Sequence, residues 1–226
     1  MEGYLPPEWC VFWFIIAIPF VVIGAKKIIQ IIREHPDQKM IVALSGAFIF
    51  LLSSLKLPSV TGSSSHPTGT SLSVVLYGVA VCSTLSTIVL IFQALLLAHG
   101  GLTTLGANCC SMGIIGPMIG LLFWKSCRKK LSIPTSMFIT AFVVGISTYV
   151  VTALQLTICY HASGWATAFI DFMTTYAITQ VPLAIVEGVI FSMFATYLIR
   201  SRPEIFEEAN TASESVHVLP KKGDSA

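Results

Sequence analysis

The fold is decided by residues 71–98, which read SLSVVLYGVAVCSTLSTIVLIFQALLLA and contain no charged side chain. A membrane-spanning helix needs about 20 predominantly apolar residues to cross about 30 Å of hydrocarbon. This stretch is therefore long for one span and too short for two complete ones. The same apolar character extends outward from it in both directions, in five further runs: 9–32, 40–55, 105–124, 134–160 and 172–199.

Charged residues are scarce and lie mainly at the two ends of the chain. Asp, Glu, Lys and Arg make up 11% of the 226 residues, and the mean hydropathy is +0.81. Between residues 40 and 199 only Lys56, Asp171, Glu187 and a basic cluster at 125–130 are charged. Such a stretch cannot form the surface of a water-soluble globule. We predict an all-α polytopic protein of the cell membrane, with one transmembrane domain over 1–200 and a polar, disordered tail over 201–226.

The basic residues predict the orientation, because cytoplasmic loops are enriched in Lys and Arg. They cluster at 26–39, at 125–130 and at 200–202. All three clusters face the cytoplasm only if residues 71–98 cross twice, which favours seven crossings over six, with the N-terminus outside and the C-terminus inside. One of the two passes must then be a half-helix shielded by protein, and Gly78 is the predicted break.

This topology brings three polar stretches to the outer face: the N-terminus, residues 59–70 and residues 99–104. His66 lies in the second, among Gly, Ser and Thr, and Pro67 follows it. A neutral imidazole in such a loop is a good ligand for Co, Ni, Cu or Zn ions, and the alternative is a solvated loop histidine. His99 begins a His-Gly-Gly sequence, where it could cap a helix end. Asn108 could hydrogen-bond His99 or the chain.

Glu187 is a carboxylate within the apolar body of the last run. Ionisable groups at that depth are costly, so a functional role is the default hypothesis. The alternative is a structural carboxyl, protonated or hydrogen-bonded, that ties the last helix to its neighbours. The six cysteines show no CxxC spacing and are interpreted as small apolar residues.

Several classes of function are disfavoured. A net charge of +2 without a basic stripe among aromatics argues against nucleic-acid binding. The sequence has no GxxxxGK[ST] loop for ATP and no HExxH or GxSxG pattern for hydrolysis, so we predict that it is not an enzyme. A remote alternative is an intramembrane haem redox protein that uses His66 and His99, although one lies in a polar loop and the other at a helix end.

Four motifs in order resemble the cobalt transport protein family CbiM: Met1–Trp9, Leu55–Gly69, Gln93–Asn108 and Gln180–Gly188. The resemblance covers roughly residues 1–200. It implies seven helices and capture of Co²⁺ by the substrate-binding membrane subunit of a prokaryotic energy-coupling factor transporter that supplies cobalamin synthesis. It also implies four partner chains: a small accessory membrane protein, a transmembrane coupling subunit and two cytoplasmic ATPases. A nickel-specific subunit of the same class is the nearest alternative.

The resemblance further implies a metal site built from the amine of an N-terminal Met, the backbone nitrogen and imidazole of the His after it, and a loop histidine. The loop histidine matches His66, and Met1 could supply the amine. The N-terminal histidine is absent because Glu2 follows Met1, and we expect a Met-His-Ile segment to be encoded upstream. His99, Asn108 and Glu187 are expected to support or gate the site.

Overall fold

The computed structural model describes residues 5–58, 64–162, 164–202 and 204–206. The helices are α1 Pro7–Glu34, α2 Lys39–Ser53, α3 Ser71–Leu96, α4 Leu105–Asn108, α5 Gly116–Cys127, α6 Ile133–Cys159 and α7 Trp165–Ser201. A 3₁₀ turn at Pro36–Gln38 joins α1 to α2, and a π-helical segment at Cys109–Ile115 joins α4 to α5. The strands β1 Leu57–Pro58 and β2 Ser64–Ser65 pair antiparallel. The predicted all-α fold is confirmed, and this two-residue ladder is a small addition to it.

Five helical stretches of the described chain are long and apolar enough to span a membrane. They are α1, α3, the continuous Leu105–Cys127, α6 and α7. With 15 residues, α2 is shorter than a complete span. The chain is a multi-pass membrane protein, as predicted, whereas the number of crossings and the orientation stay predictions. The division into a domain over 1–200 and a disordered tail stays a prediction: α7 ends at Ser201, the described Ile205 and Phe206 are buried, and most of the tail lies outside the described residues.

Gly78 breaks α3, as predicted. Its φ of 80° and ψ of 178° lie in a region that only glycine adopts readily. The chain reverses there, and the evidence is a hydrogen bond from the Cys82 thiol to the Thr70 carbonyl at 3.7 Å. A straight helix would separate residues 70 and 82 by about 18 Å. Just before the break, the Tyr77 hydroxyl donates to Gln38 Oε1 at 2.9 Å, so the reversal lies beside the end of the basic 26–39 segment.

Small residues let the helices approach closely, as is usual between helices in lipid. A Cβ on Gly145 of α6 would lie 3.2 Å from Ala184 Cβ of α7. One on Gly188 of α7 would lie 3.1 Å from the Phe138 carbonyl of α6. α1 packs mainly on α3 and on α4, while α6 and α7 form the most extensively packed pair. The tight α6–α7 pair provides a rigid wall for the polar loop before α3.

Candidate metal site

The site is built around residues 64–70, which lead from β2 into α3 and pass beside α6 and α7. Ser65, Thr68 and Thr70 are fully buried in this loop, whereas His66 keeps part of its side chain exposed. A buried polar loop needs partners for its main chain. Those partners come from α6 and α7.

Two side chains bind the main chain of His66. The Tyr149 hydroxyl of α6 accepts from the His66 amide and also lies close enough to donate to the His66 carbonyl, each at 3.2 Å. Gln180 Nε2 of α7 donates to the same carbonyl at 3.4 Å. Next to this pair, the Ser65 hydroxyl lies 2.7 Å from the Thr179 hydroxyl. The backbone of His66 is therefore fixed from two helices.

Glu187 binds the loop two residues further on. Its side chain is fully buried, and Oε2 accepts from the Thr68 amide at 2.8 Å. Oε1 accepts from the Thr68 hydroxyl at 2.7 Å and from the Gly69 amide at 2.8 Å. Of the two interpretations left open for this carboxylate, the geometry matches the hydrogen-bonded tie, although the tie runs to a loop and not to a neighbouring helix.

The imidazoles of His66 and His99 meet edge to face. Their ring centroids are 5.0 Å apart and the ring planes are inclined at 79°. His66 Nδ1 lies 2.9 Å from the Pro67 carbonyl, which accepts a hydrogen bond only from a protonated Nδ1. His66 Nε2 then carries the lone pair that a metal ion needs. His99 Nδ1 lies 3.3 Å from the Ser64 hydroxyl, so β2 orients the second ring.

The cap at the end of α3 is made by the main chain and not by the His99 side chain. The amides of Leu97 and His99 both donate to the Gln93 carbonyl, at 3.0 and 3.1 Å. The positive φ just after the helix belongs to Ala98, at 45°, ahead of Gly100. The interpretation of the His99 imidazole as a helix cap is therefore wrong, and the ring is available to the site.

The surroundings of both imidazoles favour the neutral form. Burial, the neighbouring His66 and Lys56 lower the pKa of His99 to about 4. Burial and Lys56 also lower the pKa of His66, against the opposing effect of its bond to Pro67. Lys56 is anchored nearby, because its ammonium donates to the Leu97 carbonyl at 3.0 Å. Neutral imidazole is the form that binds metal ions.

The other predicted site residues, Asn108 and Met1, are not part of the described imidazole pair. Asn108 Nδ2 donates to the Thr104 hydroxyl at 3.5 Å, so it supports the 99–104 segment and makes no hydrogen bond with His99 within the described chain. Met1 lies outside the described residues. Within the described ranges, no group of three or more His, Cys, Asp or Glu side chains is placed to hold a metal ion. The described part of the site therefore offers two imidazoles.

Sequence reasoning missed the role of Tyr149, which lies in an otherwise apolar run 83 positions from His66. It also missed the role of Gln180, whose side chain donates to the His66 carbonyl. One signal was present for Gln180: it precedes Glu187 by seven residues, and this spacing places two side chains on the same face of a helix.

These features define a polytopic helical membrane protein in which a loop imidazole, held by α6 and α7, lies beside a second imidazole at the end of α3. The family model of the CbiM cobalt uptake substrate-specific transmembrane region matches residues 1–205. The chain belongs to the CbiM family.

Similar proteins agree in length and fold. The cobalt transport protein CbiM of Streptococcus sanguinis is 52% identical over 193 residues, which cover 84% of this chain and 79% of that protein. The corresponding protein of Limosilactobacillus reuteri is 54% identical over 194 residues, covering 84% and 78%. The crystal structure of a truncated transition metal transporter superposes with a TM-score of 0.74 at 26% identity, covering 88% of this chain and 97% of that one. The prediction of a transport protein and not an enzyme is confirmed.

Proposed function

We propose that this protein captures Co²⁺ for uptake, as the metal-binding membrane subunit of an energy-coupling factor transporter that supplies cobalamin synthesis. Membership of a cobalt uptake family supports the cargo. The names of the relatives from S. sanguinis and L. reuteri support it independently. The polytopic fold places the protein in the cell membrane, where such a subunit acts.

The observation that carries the proposal is the pair of imidazoles of His66 and His99, whose ring centroids are 5.0 Å apart. Imidazole nitrogen suits first-row divalent ions such as Co²⁺ and Ni²⁺. His66 is the principal ligand, with its Nε2 lone pair available, and the family resemblance adds the amine of an N-terminal Met as a further ligand. His99 supports the site from the facing side, while Asn108 and Glu187 hold surrounding segments without contacting the cargo.

Energy for uptake comes from other subunits. The sequence contains no phosphate-binding loop pattern, and the family resemblance implies that two cytoplasmic partners hydrolyse ATP. A transmembrane coupling subunit and a small accessory membrane protein complete the assembly. Nickel is the alternative cargo, because an imidazole site binds Ni²⁺ at least as tightly as Co²⁺ by the general affinity order. Metal analysis of the purified protein from cells supplied with both ions distinguishes the two.

His66→Ala tests the site. This substitution removes the principal ligand, so we expect high-affinity Co²⁺ accumulation to be lost in cells that carry the complete transporter, while the protein still inserts into the membrane. His161→Ala is the matched control, because His161 is an exposed loop histidine whose ring contacts Trp165. Normal uptake by the His66 variant under limiting cobalt would contradict the assignment.

A further inference from the structure

We propose that Glu187 is the positioning residue of the metal site: its carboxylate fixes the 68–69 backbone and thereby holds His66 in its metal-binding orientation before the ion arrives. This inference rests on the proposed function, because it assigns a role in the same site. Glu187 itself contacts neither imidazole, and it acts through the loop.

The carboxylate is matched to its donors. Two of the three groups that it accepts from are backbone amides, one on each oxygen. An amide N–H can only donate, and an ionised carboxylate can only accept, at both of its oxygens. A glutamine side chain accepts at one oxygen and presents an NH₂ group at the other position. Glu187→Gln therefore keeps the size of the side chain but places its NH₂ group, a donor, opposite a backbone N–H that also donates.

The loop is built to bring its backbone to Glu187. Gly69 has a φ of 70°, and a Cβ there would lie 2.7 Å from Ile49 Cα of α2. Only glycine fits this conformation and this close approach to a neighbouring helix. Across the carboxylate, a Cβ on Gly145 would lie 3.7 Å from Glu187 Oε2. The main chain of residue 69 and the carboxylate are thus packed between α2 and α6.

The constraint reaches His66 through a short and stiff connection. Pro67 lies between His66 and Thr68, and its ring fixes its own φ. On the other side, Tyr149 and Gln180 bind the His66 backbone. The loop is therefore held by α6 and α7 at His66 and by α7 at residues 68–69. The imidazole projects from a backbone that has little conformational freedom. A site fixed in this way loses less conformational entropy when the ion binds.

The experiment compares Glu187→Gln with wild type and with Asp171→Asn, a matched control on an exposed position of the same helix. Co²⁺ affinity is measured by calorimetry on the purified full chain, and amide hydrogen exchange is followed across residues 64–70. We expect Glu187→Gln to weaken Co²⁺ binding at least tenfold and to speed amide hydrogen exchange in this loop. Exchange in α5 and in the N-terminal part of α1, which is its predicted outer end, should be unchanged. Asp171→Asn should match wild type in both measurements.

A role in packing alone predicts a different result, because glutamine fills the same space. Wild-type affinity in Glu187→Gln, or unchanged exchange in the loop, would overturn the proposal. If Glu187→Gln is not recovered folded, Thr68→Val tests the same proposal. It removes one of the three hydrogen bonds to Glu187, the one from the Thr68 hydroxyl at 2.7 Å, and should weaken Co²⁺ binding severalfold. Unchanged Co²⁺ affinity would overturn the proposal. Retained Co²⁺ binding by His66→Ala would instead contradict the proposed function. The failure of the proposed function is thus distinguishable from the failure of the Glu187 proposal.

Discussion

The Tyr149 hydroxyl holds His66 by two contacts, each at 3.2 Å. Tyr149→Phe keeps the ring and leaves the His66 amide without this partner, whereas the carbonyl retains Gln180. Loss of one buried partner costs about 1–3 kcal/mol. We expect a lower thermal melting temperature and weaker Co²⁺ binding, both measured on the purified protein.

Tyr197→Phe is the control for this substitution, because Tyr197 is 63% exposed and lies on the outside of the same helical bundle. It should behave as wild type. If Tyr149→Phe binds Co²⁺ as tightly and melts as high as wild type, Gln180 and Glu187 are sufficient to hold the loop.

Sequence reasoning reached the residues whose chemistry is unusual for their surroundings. His66 among Ser and Gly, His99 before two glycines, and Glu187 in an apolar run each stand out without a structure. Tyr149 does not, because a tyrosine in a membrane helix has many ordinary roles and only the fold shows which backbone its hydroxyl meets. The partner of Glu187 was unpredictable for the same reason, since Thr68 is 119 positions away.

Gly78 is the glycine on which the course of α3 depends. A Cβ at this position would meet no atom within 4 Å, so the cost of Gly78→Ala comes from the backbone alone, at about 1–3 kcal/mol for a glycine-only conformation. We expect the melting temperature of the purified protein to fall.

Gly46→Ala provides the opposite case within a helix. Its new Cβ would lie at an ordinary 3.6 Å from Leu85 Cδ2, and alanine is favoured over glycine inside a helix by about 1 kcal/mol. This variant should melt at or above the wild-type temperature. Equal melting of the two variants would show that the reversal at Gly78 does not require glycine.

Among the elements, long apolar runs predicted the helices well because their burial pattern is set by lipid and not by a specific partner. The break at Gly78 was predictable because residues 71–98 are too few for two complete membrane-spanning helices. Gly116 and Gly120 are packing positions, since both face α6, at Thr148 and Val144. The π-helical segment before them was not predicted; its Gly113 packs against Ser83 and Ser86 of α3.

The orientation of the whole molecule is open to a direct test by cysteine labelling. In a background without the six native cysteines, Lys129→Cys and His161→Cys introduce single thiols in the two loops that flank α6. The predicted topology places residue 161 outside and residue 129 in the cytoplasm. A membrane-impermeant maleimide should label position 161 in intact cells and position 129 only after permeabilisation; the reverse pattern would contradict the orientation.

The two imidazoles are attached to different parts of the bundle. His66 is held by α6 and α7 through its backbone, whereas His99 follows directly on the end of α3. On the proposed function, an ion bound by His66 beside His99 couples the end of α3 to the α6–α7 pair. Coupling of this kind is reciprocal: the ion resists separation of these helices, and a partner that draws them apart lowers the affinity for the ion.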